Sequence, residues 1–277
     1  MTLSNRNYLF KAGILVSVVT IGILIGVSSV ILPLYPSVVS LAARRTANII
    51  RLLADNVISP APYVPFITMS TACVYAFITM VFIYYFFEKT QAPEILFFAL
   101  FALSLTVEAS RIMVPLRTVY GLPSVYLVMA SRVLLFGRYF GTFSLFAASL
   151  YAAGLEMRKQ GNIIFIISLA TLVLALGIPI DGMSWDTSLS MIYGYSSMFT
   201  IVETGIILIT MLTFFVSAYS RGSGEYVLIG VGALLVFAGR NMLLGADTWI
   251  TPLPGLLILA TGTWFICSRL HRVYLWL

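Results

Sequence analysis

The chain has 277 residues, of which 60% are hydrophobic and only 9% are charged, and its mean hydropathy is +1.02. Soluble domains carry about 25% charged residues, so this composition excludes an ordinary soluble protein and predicts an all-α integral membrane protein with several spans. The formal net charge of +6 would suggest a nucleic-acid partner in a soluble protein. In a membrane protein it indicates basic cytoplasmic loops and buried arginines, with membrane lipids rather than nucleic acid as partners.

Eight stretches of the chain are apolar enough to cross a bilayer, which takes about 20 residues of helix. The last stretch is short and needs its flanking residues, and the fourth is long enough to tilt. We therefore predict eight transmembrane helices. In chain order they are approximately Leu9–Leu32, Tyr63–Phe87, Ile95–Leu116, Ser124–Leu155, Ile163–Ile180, Ile192–Ala218, Tyr226–Leu244 and Gly255–Cys267.

The first span is predicted to be a retained anchor, residues 1–35, because its apolar core is too long for a signal peptide and no small-residue cleavage site follows. Residues 36–62 are predicted to form an external segment. Polar residues recur there every three or four positions, which predicts an amphipathic helix followed by a Pro-rich linker. Residues 63–277 are predicted to form a seven-helix bundle. The polar stripe of the external helix is Ser40, Arg44, Asn48, Arg51 and Asp55.

The positions of the basic residues predict that both termini are cytoplasmic, in a bacterial cytoplasmic membrane. This orientation places most basic residues outside the hydrocarbon on the inner side and fewer on the outer side. The inner set is Arg6, Lys11, Lys89, Arg158, Lys159, Arg221, Arg269 and Arg272, and the outer set is Arg44, Arg45, Arg51 and Arg117.

Six charged side chains fall inside the predicted spans, and a charge at the bilayer centre costs on the order of 3 kcal/mol. Such side chains are expected to face one another or a wet cavity. Four arginines and two glutamates leave two positive charges uncompensated, and Asn241 is placed to add hydrogen bonds. The candidate ligand-binding residues are Glu108, Arg111, Arg132, Arg138, Glu203, Arg240 and Asn241.

The pairing of these charges is predicted only in part. Glu108 and Arg111 are three residues apart on one helix, so they are expected to pair. Arg132 and Arg138 point about 120° apart at 100° per residue, so one is expected to serve the bundle and the other to extend toward an interface. Glu203 needs a partner from another helix, and Arg240 is the nearest in depth.

The arginine surplus favours an outward-facing pocket for an anionic small molecule or a lipid headgroup, because the guanidinium fork matches carboxylate and phosphate. A purely structural ion-pair network is the alternative. An enzyme is not favoured, because the one histidine, His271, lies in the tail and nucleotide, zinc and nucleophile-elbow motifs are absent from the sequence. A lipid-modifying enzyme stays open as an alternative, since Glu203 with an arginine could do acid–base chemistry. Cys73 and Cys267 lack metal or disulfide spacing, so no cofactor or metal is expected.

The layout of an anchor, an external segment and seven helices resembles bacterial seven-transmembrane sensor modules. That resemblance implies a sensor or binding protein. Such sensors usually continue into a cytoplasmic effector domain, whereas this chain ends at Leu277. If the protein signals, we therefore expect a separate cytoplasmic partner that contacts Glu156–Asn162 or Ser268–Leu277.

Two alternatives stay open: a transporter for a small anion or amphiphile, and a non-catalytic subunit or scaffold of a membrane assembly. The small-residue spacings Gly22–Gly26 and Gly137–Gly141 predict close helix contacts, and a homodimer through the first span is a further expectation.

Overall fold

The computed structural model describes residues 3–34 and 63–275, and these residues are almost entirely helical. The predicted external helix and linker at 36–62 lie outside the described residues. The helices are α1 (Leu3–Ile31), α2 (Val64–Phe87), α3 (Pro93–Ser104), a 3-10 helix (Leu105–Ile112), α4 (Met113–Tyr120), α5 (Ser124–Ala152), a 3-10 turn (Met157–Lys159), α6 (Gln160–Gly177), α7 (Ser196–Arg221), α8 (Glu225–Leu244) and α9 (Pro252–Leu275). Two strands, β1 (Ile180–Trp185) and β2 (Met191–Tyr193), lie between α6 and α7.

The described residues contain eight helical segments that are long and apolar enough to span a membrane. They agree with the eight predicted spans. The third is a composite, Pro93–Tyr120, in which α3, the 3-10 helix and α4 follow one another without a break. The eighth is longer than predicted, because the helix begins at Pro252 and continues through Arg269 and Arg272 to Leu275.

Two ends of the bundle can be named from contacts. Near the start of α1, Arg6 donates through Nη2 to the carbonyl oxygens of Phe87 (2.7 Å) and Glu88 (3.0 Å), just where α2 stops. We call this the terminal end, because α1 begins there and α9 finishes there. The opposite end carries β1 and β2, and we call it the hairpin end.

The β1–β2 hairpin inserts its turn into the bundle. Its strands are antiparallel, with Ile180 opposite Tyr193 and Trp185 opposite Met191. Residues Ser188 to Met191 are each only 5–6% exposed. Leu189 has a left-handed backbone (φ 60°) and packs in an apolar cluster with Leu24 and Leu127.

The hairpin corrects the sequence prediction, which began the sixth span at Ile192. Residues 191–193 are a strand, and α7 begins only at Ser196. The Asp186 carboxylate accepts hydrogen bonds from the Ser190 backbone N–H and the Ser188 hydroxyl, both at 2.8 Å, and so stabilises a turn in place of a helix. Non-helical backbone is tolerated at membrane depth only where protein buries and satisfies it.

Glycines allow the closest helix packing, which joins α8 and α9. A Cβ atom on Gly262 would lie 2.7 Å from the Val236 nitrogen, and one on Gly255 would lie 2.9 Å from the Leu243 nitrogen. Gly232 and Gly239 take the matching places on α8. Only glycine lets two helix backbones approach so closely, so these residues fix the position of α8.

The predicted contact at Gly137 is confirmed: a Cβ atom there would lie 2.7 Å from the Val107 Cβ, and Gly141 packs on Ser104 in the same way. The two glycines therefore bring α5 against α3 and the 3-10 helix. By contrast, a Cβ atom on Gly22 or Gly26 of α1 would meet nothing within 4 Å among residues 3–34 and 63–275, and the predicted homodimer stays a prediction.

Helices α6 and α7 lie at the edge of the fold. Both pack on α5, and only 17% of each spanning window is buried. Their apolar outer faces have the composition expected of surfaces in contact with lipid.

Candidate functional site

Glu108 is the centre of a buried ion cluster and is held by two arginines. Its Oε2 atom lies 2.9 Å from the Arg111 Nε atom. From α5, Arg138 donates Nε to Oε1 at 2.8 Å and Nη2 to Oε2 at 3.1 Å. The Glu108 side chain is 2% exposed, so its carboxylate is shielded from solvent. This geometry is the strong form of a charge-assisted hydrogen bond.

The local backbone explains the Glu108–Arg111 pair. Both residues lie in the 3-10 helix Leu105–Ile112. With three residues per turn, side chains at i and i+3 eclipse one another, which aligns the carboxylate with the guanidinium. The predicted pair is therefore present, in a tighter helix than the α-helix expected from the sequence.

The same arginines tie the hairpin to the helices. Arg111 donates Nη1 to the Ser188 carbonyl oxygen at 2.8 Å and to the Leu244 carbonyl oxygen at 3.1 Å. Arg138 donates Nη2 to the Ser190 hydroxyl at 3.2 Å. The arginines thus satisfy acceptor oxygens of the hairpin turn and of the last turn of α8, which would otherwise be buried without hydrogen-bond partners.

A second cluster joins α5, α7 and α8. Arg240 donates Nη1 to the Thr142 hydroxyl at 2.9 Å and lies 3.3 Å from the Glu203 Oε1 atom. It also donates Nη2 to the Arg138 carbonyl oxygen at 2.9 Å. The Thr142 hydroxyl donates to Glu203 at 3.0 Å. Arg240 therefore connects the two clusters through the backbone of Arg138.

Two of the seven candidate residues stand apart from this network. Arg132 donates Nη1 to the Leu176 carbonyl oxygen at 2.7 Å on an exposed face of α5. Asn241 is exposed, although it follows the buried Arg240 directly. The structure brings together the other five: Glu108, Arg111, Arg138, Glu203 and Arg240.

Sequence reasoning missed the contributions of Thr142 and Asp186. Thr142 lies one helical turn after Arg138, a spacing that could have indicated it. Asp186 lies in the hairpin turn, where its negative charge acts on Arg111. Three arginines then face two glutamates and this aspartate, so the formal surplus of two positive charges is largely cancelled within the described residues.

Two donors of the network nevertheless lack partners. The Nη2 atom of Arg111 and the Nε atom of Arg240 are buried and have no hydrogen-bond partner among the described residues, and the Arg111 Nε atom has only its ion-pair contact with Glu108. Both side chains are 2% exposed or less. Buried unpaired donors on charged groups are costly, so they mark positions where a further acceptor would be favourable.

The void between Arg138 and the hairpin is small. A void of about 10 Å³ lies beside Arg138, Ser190 and Tyr193, which is room for roughly one water molecule. Burial raises the pKa of the Tyr193 phenol while Arg138 opposes the shift, so the group is neutral and able to donate. Arg138 and Glu203 are each 21% exposed and form the accessible edge of the network.

These features define a multi-span helical protein of the membrane type, whose buried ion network holds an inserted β-hairpin. No family model matches the chain. The chain is similar to an uncharacterized protein of Treponema pallidum (strain Nichols), with 21% identity over 239 residues that cover 69% of each chain. That relative's name assigns no activity, so the functional argument depends on the site.

Proposed function

We propose that this chain is a non-catalytic membrane protein of binding or sensor type, which takes an anionic small molecule or lipid headgroup at Arg111, Arg138 and Arg240 beneath the hairpin. The supporting observation is the pair of buried guanidinium donors without partners, on Arg111 and Arg240. Guanidinium groups suit carboxylate and phosphate oxygens, and an anion that reached these donors would remove an unsatisfied-donor penalty of about 1–3 kcal/mol each.

Binding requires the hairpin to move, because the void beside Arg138 holds only one water-sized body. The bonds from Arg111 to Ser188 and from Arg138 to Ser190 use the same guanidinium groups that an anion would engage. An anion that binds the displaced-hairpin state more tightly would shift the population toward that state. The hairpin is thus the moving element of the proposed sensor.

Arg240 gives this movement a route to the helices. It contacts α5 at Arg138 and Thr142 and lies within ion-pair distance of Glu203 on α7. An anion that competes with Glu203 for Arg240 would loosen the junction of α5, α7 and α8. We place the hairpin end outside the bacterial cytoplasmic membrane, with both termini inside, and a separate signalling partner at Glu156–Asn162 or at the end of α9.

The test uses purified protein in a neutral detergent, with inorganic phosphate, succinate and phosphatidylglycerol as probe anions and phosphatidylcholine as the neutral comparison. Thermal unfolding and titration calorimetry are measured for wild type, Arg240→Lys and the matched control Arg132→Gln. Arg240→Lys keeps the charge but loses the fork. We expect one probe anion to stabilise wild type and the control, and to have a much weaker effect on Arg240→Lys.

Hairpin movement is measured separately by maleimide labelling of Ser190→Cys in a background without native cysteines. The binding anion is expected to accelerate labelling, because Ser190 is only 6% exposed in the closed form. The proposal is overturned if no probe anion affects wild type, or if Arg132→Gln loses the response as completely as Arg240→Lys. The near balance of charges would then favour a structural lock in a subunit or scaffold.

A transporter for a small anion or amphiphile is the second candidate, favoured by the third span. Its 3-10 segment of eight residues is longer than the usual three or four, and it carries Glu108 and Arg111. Irregular helical backbone inside a span is a feature of transporter sites, and here the irregular segment carries two charged residues. Proteoliposomes loaded with labelled phosphate or succinate distinguish the two: flux in wild type that Arg138→Gln abolishes favours transport, and binding without flux favours the sensor.

A further inference from the structure

A groove of about 360 Å³ lies between α2 and α9 at the terminal end, away from the ion network. Its volume falls in the range of small-molecule sites. Trp264, Ser268 and His271 recur along one face of α9 over about 10 Å of helix. The groove is lined by Phe82, Phe86, Phe87, Trp264, Cys267, Ser268, His271 and Arg272.

Contacts join α2 to α9 at two levels of the bundle near the groove. Toward the middle of the bundle, the Tyr75 hydroxyl bonds the Thr263 hydroxyl and joins α2 to α9. At the terminal end, the His271 ring meets the Phe87 ring edge-on with centroids 5.7 Å apart. Among the lining residues, Cys267 and Phe87 are buried and form the floor of the groove. The groove is therefore a defined recess rather than a general lipid-facing surface.

The side walls of the groove are open to the bilayer. Trp264 is 65% exposed and Phe86 is 46% exposed, one on each helix. Both positions lie inside spanning segments. An acyl chain could enter sideways between these two aromatic rings without leaving the hydrocarbon.

The mouth of the groove carries excess positive charge. Arg272 and Arg269 share one carboxylate, that of Glu225, at 3.3 and 3.2 Å. The Arg272 side chain is 57% exposed at the edge of the groove, and no acidic residue is among the groove-lining residues in the described part of the chain. Glu88, at the end of α2, is not a lining residue, and its carboxylate accepts a hydrogen bond from the Tyr84 hydroxyl.

We propose that this groove binds one anionic phospholipid of the surrounding leaflet. The acyl chain lies between Phe86 and Trp264, and the phosphate lies at Arg272 with His271 and Ser268 beside it. The groove matches the lipid in polarity, since it is apolar along its length and cationic where the span ends and headgroups lie. This site is independent of the proposed anion site at the hairpin end.

The experiment is native mass spectrometry of the delipidated protein titrated with phosphatidylglycerol or phosphatidylcholine. Wild type is expected to bind one phosphatidylglycerol in preference to phosphatidylcholine. Arg272→Gln is expected to weaken phosphatidylglycerol binding about fivefold, the value of one basic residue near an anionic headgroup, and to leave phosphatidylcholine unaffected. The matched control Lys159→Gln removes an exposed charge near the terminal end and is expected to keep the preference.

Two further variants test the groove itself. Ser268→Leu fills the recess and is expected to reduce binding of both lipids. Trp264→Ala removes an exposed wall of the groove and is also expected to reduce binding of both lipids, and it leaves the core intact because Trp264 is largely exposed. Equal binding of the two lipids by wild type overturns the proposal. So does an unchanged preference in Arg272→Gln, or a loss in Lys159→Gln as large as that in Arg272→Gln.

Discussion

The contrast between Arg138 and Arg132 gives a direct test of the ion network. Both arginines lie on α5, six positions apart, and each is changed to glutamine. Arg138→Gln removes two hydrogen bonds to Glu108 and one to Ser190. Arg132→Gln removes one exposed bond to the Leu176 carbonyl oxygen. The two variants have the same chemistry in different surroundings.

The expected magnitudes differ clearly. Removing one partner of a buried ion pair costs about 3–5 kcal/mol, because the other charge is left buried. Arg138 is 21% exposed and Glu108 keeps Arg111, so we expect a loss near the lower bound, about 3 kcal/mol. An exposed hydrogen bond contributes about 0.5–1.5 kcal/mol, so Arg132→Gln is expected to cost no more than that.

The assay is the free energy of unfolding from SDS titration in mixed micelles, followed by circular dichroism. A double-mutant cycle of Arg138→Gln with Glu108→Gln is expected to show a coupling energy of about 0.5–3 kcal/mol. The cycle of Arg132→Gln with Glu108→Gln is expected to be additive within about 0.5 kcal/mol. Equal losses for the two arginine variants, or no coupling between Arg138 and Glu108, would show that the buried ion pair does not stabilise the fold.

Three further predictions concern packing, the hairpin and orientation. Gly262→Val is expected to lower the free energy of unfolding in SDS by about 1–3 kcal/mol, because the new side chain forces α9 away from α8. Gly22→Val is the control and is expected to leave that free energy unchanged. If α1 mediates a homodimer, Gly22→Val is also expected to lower the particle mass measured by light scattering. Leu189→Ala is expected to lose about 2–5 kcal/mol from the buried hairpin turn, and the half-exposed Ile192→Ala much less; equal losses would mean that the turn is not packed as described. For orientation, an impermeant maleimide applied to intact cells is expected to label Thr187→Cys but not Lys159→Cys, and the reverse pattern would invert the predicted topology.

Sequence reasoning predicted the parts that depend on local composition and spacing. The eight spans follow from the length of apolar helix that hydrocarbon requires. The Glu108–Arg111 pair follows from its i, i+3 spacing, and the approach of Arg240 to Glu203 follows from similar depth in the bundle. The divergence of Arg132 from Arg138 follows from helical rotation, which fixes the angle between two side chains of one helix.

Helical rotation alone does not say which face of a helix turns inward, and only tertiary packing decided that. Gly137 and Gly141 press α5 against α3 and the 3-10 helix, which brings Arg138 to Glu108 and leaves Arg132 outside. The hairpin depends on the non-local bonds from Arg111 and Arg138, and residues 180–193 gave no recognisable strand signal on their own. Composition and spacing thus predicted the number of spans and the five charges that meet in the network, because hydrocarbon excludes both polar backbone and unpaired guanidinium. The partners of each charge, and the nearly neutral balance reached with Asp186, were decided by contacts between residues far apart in the chain.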